Sequence, residues 1–136
     1  MKIMSDHFMP YIIIDLDKKI IRIHHSVFEK LGDPTYIQFL INRKKCALAV
    51  KRCTKSTDQA IKIPKPSGDY YDIYGKYIGW LFQDVCSKWS TNDPYIIYGY
   101  ANSDNTYICF WLKQAQVYNR FEVFTSNEKS AALIEN

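Results

Sequence analysis

A proline stands just before an aromatic-led apolar run twice in the chain, Pro34 before Tyr36 and Pro94 before Tyr95. In each case a polar turn that opens on asparagine, Asn42 and Asn102, follows the run and a second apolar run comes after it. Proline forbids a preceding helix from continuing. Short runs bounded by turn residues read as strands. This spacing restricts the chain to short strands joined by tight turns. The reading is a strand at Tyr11–Leu16, a strand at 19–24, a hairpin of Tyr36–Asn42 with 45–53, strands at Tyr70–Tyr74 and Tyr95–Ala101, and a return at 106–112. A further strand is expected within 114–124, and a short one within 60–63.

Two helices are expected between these strands. Ser26 is an N-cap candidate with Glu29 three residues on, the spacing of a capping box. Gly32 suits the left-handed C′ position, and Pro34 closes the segment, so a short helix covers 27–31. In the second half Ile78, Leu81, Phe82, Val85 and Trp89 fall at helical spacing, which predicts a helix over 75–89. The order strand, helix, proline, strand, turn, strand then occurs twice. The fold expected is α+β: two β-α-β-β units packed pseudo-symmetrically, as a swapped-hairpin or small barrel-like arrangement. The units are a basic N-terminal unit over 1–57, a Pro/Gly-bearing linker over 58–68, and a C-terminal unit with a longer helix and frayed tail over 69–136. Both faces of the first hairpin are apolar, Ile37, Phe39 and Ile41 on one and Tyr36 and Leu40 on the other, which predicts that it is sandwiched.

The segment Ile21-Arg22-Ile23, Ser26 to Leu31-Gly32, then Tyr36 to Cys53 resembles the swapped-hairpin domains of the AbrB/SpoVT class of bacterial regulators. Two such units in one chain resemble the MraZ arrangement, and the N-terminal unit is similar to small proteins of Firmicutes and their mobile elements. The resemblance implies a DNA-binding regulator that dimerises. The chain departs from the pattern in lacking the Asp-x-x-x-Arg motif and in starting its first helix with Ser26-Val27-Phe28-Glu29.

Charge supports an anionic partner. The net charge is +4, and residues 1–68 carry 13 Lys/Arg against 6 Asp/Glu, whereas residues 69–136 carry 5 against 8. A basic half paired with aromatic strands suits phosphate contacts. The candidate nucleic-acid-binding residues are Lys18, Lys19, Arg22, Arg43, Lys44, Lys45, Lys51 and Arg52. Arg22, flanked by isoleucines, is alternatively an ion-pair partner of Glu29 or Asp33. The aromatic run Tyr71, Tyr74, Tyr77 and Trp80 is the candidate interface between the halves or with a partner.

Catalytic signals are sparse. His24 and His25 are adjacent and point to opposite faces of a strand, so they do not converge on one ion. The four cysteines lack C-x-x-C spacing and read as reduced cytosolic thiols. No glycine-rich phosphate loop occurs, and the aspartates are scattered. No signal peptide and no apolar run long enough to span a bilayer is recognisable. The expectation is a cytoplasmic, non-enzymatic nucleic-acid-binding regulator of bacterial or mobile-element origin, without cofactor, metal or small-molecule substrate. The alternative is a phage or mobile-element interaction protein that binds and inhibits a host defence protein or nuclease.

Overall fold

The computed structural model describes residues 9–75, 89 and 92–118. Among these residues nine strands form one antiparallel sheet: β1 (Tyr11–Asp15), β2 (Ile20–His24), β3 (Tyr36–Asn42), β4 (Ala47–Cys53), β5 (Ile61–Lys62), β6 (Tyr70–Tyr74), β7 (Tyr95–Ala101), β8 (Tyr107–Trp111) and β9 (Gln116–Val117). The one α-helix among the described residues, α1 (His25–Lys30), joins β2 to β3. The spatial order is β5-β3-β4-β8-β7-β1-β2-β6, with β9 continuing beside β7 past a 3-10 turn at Leu112–Gln114.

Three hairpins share one local device. Asp15 Oδ1 accepts the Lys18 N–H (3.0 Å), and Lys19 is left-handed at φ 56°. Asn42 Oδ1 accepts the Lys45 N–H (3.0 Å), and Cys46 is left-handed at φ 52°. Asn102 Oδ1 accepts the Thr106 and Tyr107 N–H groups, and Asn105 is left-handed at φ 55°. A short side-chain acceptor at the turn's start replaces a backbone partner, which is why Asp and Asn open these loops.

Alternation then sorts each strand. Ile12 and Ile14, Ile21 and Ile23, Leu48 and Val50, and Ile108 and Phe110 turn to one face with Ile37, Ile73 and Ile97. The sheet curls around them as a half-barrel. Helix α1 lays Val27 and Phe28 over the same face, joined by Leu31 at its C-cap. The helix ends in a Schellman motif: the Asp33 N–H reaches the Phe28 carbonyl (2.8 Å), the Gly32 N–H reaches that of Glu29 (3.1 Å), and Gly32 takes φ 81°.

Several expectations are corrected. Strand makes up 48% of the described residues and helix 9%, so the fold is mostly β and not α+β with two β-α-β-β units. Strands β2, β3 and β4 and helix α1 do follow one another over 20–53, but β2 pairs with β1 and β6, while β3 pairs with β4 and β5. The halves also interleave, since β7 pairs with β1 and β8 with β4. The physical reason is that β1 and β4 each expose a row of unpaired backbone groups, and the β7–β8 hairpin satisfies both at once. The first hairpin is not sandwiched, because Leu40 on its outer face is exposed. The helix begins two residues early, with His24 as N-cap; its Nδ1 accepts the Ser26 N–H at 3.2 Å. Glu29 pairs instead with His25 Nδ1 at 2.6 Å. Residues 76–88 of the expected second helix lie outside the described residues, as do Tyr77 and Trp80.

Candidate nucleic-acid interface

The face of the sheet turned away from the core carries aromatic rings. Register places Trp111 of β8, Tyr98 of β7, Tyr11 of β1, His24 of β2 and Tyr70 of β6 in one row across five adjacent strands. At about 4.8 Å per strand the row is ~19 Å long. Neighbouring ring centroids are 5.6 Å apart for Tyr98–Tyr11, 4.4 Å for Tyr11–His24 and 5.4 Å for His24–Tyr70. Tyr100 and Tyr107 flank the row on β7 and β8. Exposure is 46% at Tyr98, 52% at Tyr100 and 37% at Trp111, so these residues are open to solvent.

One end of the row is held rigid. The Tyr11 and Tyr70 hydroxyls share a 2.7 Å hydrogen bond, and Tyr11 stacks on His24 with a 17° interplanar angle. Burial, reinforced by that hydrogen bond, pushes the Tyr11 hydroxyl pKa upward and keeps it protonated. His24 Nδ1 lies 2.8 Å from Ser26 Oγ and also accepts the Ser26 N–H, so its ring proton belongs on Nε2. Burial, then the neighbouring His25, hold the His24 pKa below its ordinary 6.5. Between 6.5 and that lowered value the unfolded chain binds more protons than the folded one, so stability falls as pH drops through this window. The expected outcome is a midpoint in urea that declines on acidification from pH 6.5, with a flatter profile in His24→Asn, whose side chain can still cap α1.

The expected basic residues separate into three places. Because the strands alternate in direction, the β1–β2 turn with Lys18 and Lys19 and the β3–β4 turn with Arg43, Lys44 and Lys45 lie at the same end of the sheet. Lys113, which the sequence reading did not single out, follows β8 at that end, with Asp15, Asp17 and Asp93 interspersed. Lys51 stands on the outer face opposite Tyr107 in register, beyond the other side of the aromatic row. Arg52 lies at the far end on the core side, where its Nη1 is 3.4 Å from the Leu31 carbonyl that ends α1. Arg22 is on the outer face in a two-point pair with Asp72, Nε to Oδ1 at 2.8 Å and Nη2 to Oδ2 at 3.2 Å, and lies 5.7 Å from the Tyr70 ring centroid. Its partner is therefore a cross-strand residue, not Glu29 or Asp33.

Of the expected interface residues, Tyr71 faces inward, edge-on to Phe28 at 4.8 Å, whereas Tyr74 is exposed. Cys46 and Cys53 sit at opposite ends of β4, which keeps them from sharing an ion with the histidines. Among the described residues no group of three or more His, Cys, Asp or Glu side chains is placed to hold a metal. No helix among them is long and apolar enough to cross a membrane.

Tyr11, Tyr98, Tyr100, Tyr107 and Trp111 were not singled out from the sequence. Part of their signal was there in the spacing: Tyr98 and Tyr100 are two residues apart and Tyr107 and Trp111 four, so each pair shares one face of its strand. Comparison with protein-family models, curated proteins and solved structures returned no match.

Proposed function

We propose that this protein is a non-enzymatic nucleic-acid-binding module that holds single strands with little sequence preference, acting in the cytoplasm of a bacterium or its mobile element. The observation that carries this reading is the aromatic row on the solvent face of the sheet, with cations on either side of it. Bases have flat π-faces that stack on such rings whatever their identity. Phosphates running between them meet Lys51 on one side and the Lys18, Lys19, Arg43, Lys44 and Lys45 turns on the other. A duplex keeps its bases stacked internally, so it offers this face only phosphates. The free thiols of Cys46, Cys53 and Cys109 fit a reducing compartment.

The basic turns are tested by salt. Replacing Arg43, Lys44 and Lys45 together with alanine is expected to weaken oligonucleotide binding and to lower the slope of log K against log salt by about 2, since each single-strand phosphate contact contributes about 0.7. An unchanged slope would remove these residues from the interface. A protein partner on the same face is the competing reading; a stable stoichiometric complex with a host protein, without oligonucleotide binding, would favour it.

A further inference from the structure

A cleft of about 190 Å³ lies on the same face, between the aromatic row and the β1–β2 turn. Ile13 and Ile20 line it from β1 and β2, Pro94 and Tyr118 wall it, and Asp15 and Lys18 contribute polar groups. Arg22 also lines it, with its guanidinium already matched to Asp72. Apolar walls with a few convergent polar groups are the usual make-up of a small-ligand site. Ile13 directly opposes Arg22 in the β1–β2 register, two residue pairs along from the Tyr11 level of the row. A strand lying on the rings therefore passes the mouth of the cleft.

Resting on the function proposed above, we infer that this cleft receives one base of the bound strand and favours a base with an exocyclic amino group, such as cytosine over thymine. The apolar surfaces cover the ring faces. Asp15 is fixed in place because its Oδ1 accepts the Lys18 N–H, and its carboxylate retains further acceptor capacity. An amino group donates to it, as cytosine N4 donates to acidic side chains elsewhere. Thymine presents a carbonyl oxygen at the same position, which the carboxylate repels. The Lys18 ammonium serves the phosphate of the same nucleotide.

The test compares oligo-dC with oligo-dT of about ten nucleotides, within the usual site size of such folds. Both bases are pyrimidines, so the stacking contribution is similar. The wild-type protein is expected to bind oligo-dC about fivefold more tightly. Asp15→Asn, which retains the acceptor that closes the β1–β2 turn, brings the ratio to about one, and so does Ile20→Trp, which fills the cleft. Tyr98→Ala weakens both oligonucleotides and leaves the ratio in place. Equal wild-type affinities that still depend on Tyr98 would overturn the cleft while leaving the single-strand reading intact. A preference for oligo-dC that survives both Asp15→Asn and Ile20→Trp would likewise overturn it. Binding of neither oligonucleotide would overturn both.

Discussion

Replacing Phe110 with alanine is expected to destabilise the fold by about 4 kcal/mol and to lower Tm by about 15 °C. Phe110 is fully buried at the point where the two halves of the chain interleave. On β8 it opposes Leu48 of β4 on one side and Gly99 of β7 on the other. Its ring fills the space that a side chain at position 99 would occupy. A Cβ on Gly99 would meet Phe110 Cε1 at 2.5 Å and Ile108 Cγ2 at 2.6 Å. Gly99→Ala alone therefore overpacks the core, at a cost of about 2 kcal/mol. The two changes should also be coupled. In Gly99→Ala/Phe110→Ala the new methyl group enters the space the ring has left, and the loss is smaller than the sum of the single losses. Urea denaturation of the four proteins measures this directly. Strictly additive losses would contradict the packing described at this strand crossing.

Removing both exposed rings, Tyr98→Ala/Trp111→Ala, is expected to weaken single-strand binding by about a hundredfold. Each base–aromatic stack contributes about 1–3 kcal/mol by alanine substitution. The two rings are adjacent in the row and partly open to solvent. Each is more exposed than Phe110, so the urea midpoint should move less than in Phe110→Ala. The contrast separates binding from folding. A large loss of stability without a specific loss of binding would make these rings part of the fold's support and not a ligand platform.

Local structure was legible where alternation and turn chemistry agree. Strands β3, β6 and β7 begin and end where the sequence places them; Pro34 and Asn42 bound β3, and Pro94 and Asn102 bound β7. Gly32 ends α1 in the left-handed conformation expected of it. The helix start was misplaced because Ser26 and His24 both offer a cap acceptor and nothing local distinguishes them. The sheet order was not legible. The pairings of β1 with β7 and of β4 with β8 join segments far apart in the sequence, and no local pattern encodes them. The outer face was hidden for a related reason: in β7 both parities are apolar or small, Ile97 and Gly99 inward against Tyr98 and Tyr100 outward, so periodicity alone left the choice open. Gly99 is the residue that marks the inward side, since a glycine within a strand often signals close approach of another element. Arg22 was recognised as constrained by Ile21 and Ile23, but its partner Asp72 lies on a strand that only the fold brings alongside.

Binding of single strands by the outer aromatic face is read from a single titration. Fluorescence anisotropy would follow a labelled oligo-dC and a duplex of equal length with the wild-type protein over a series of salt concentrations. The single strand is expected to bind more tightly than the duplex at every salt concentration. Its advantage should widen as salt rises, because stacking persists while phosphate contacts are screened. Equal or weaker binding of the single strand, or no binding of either at low salt, would contradict it.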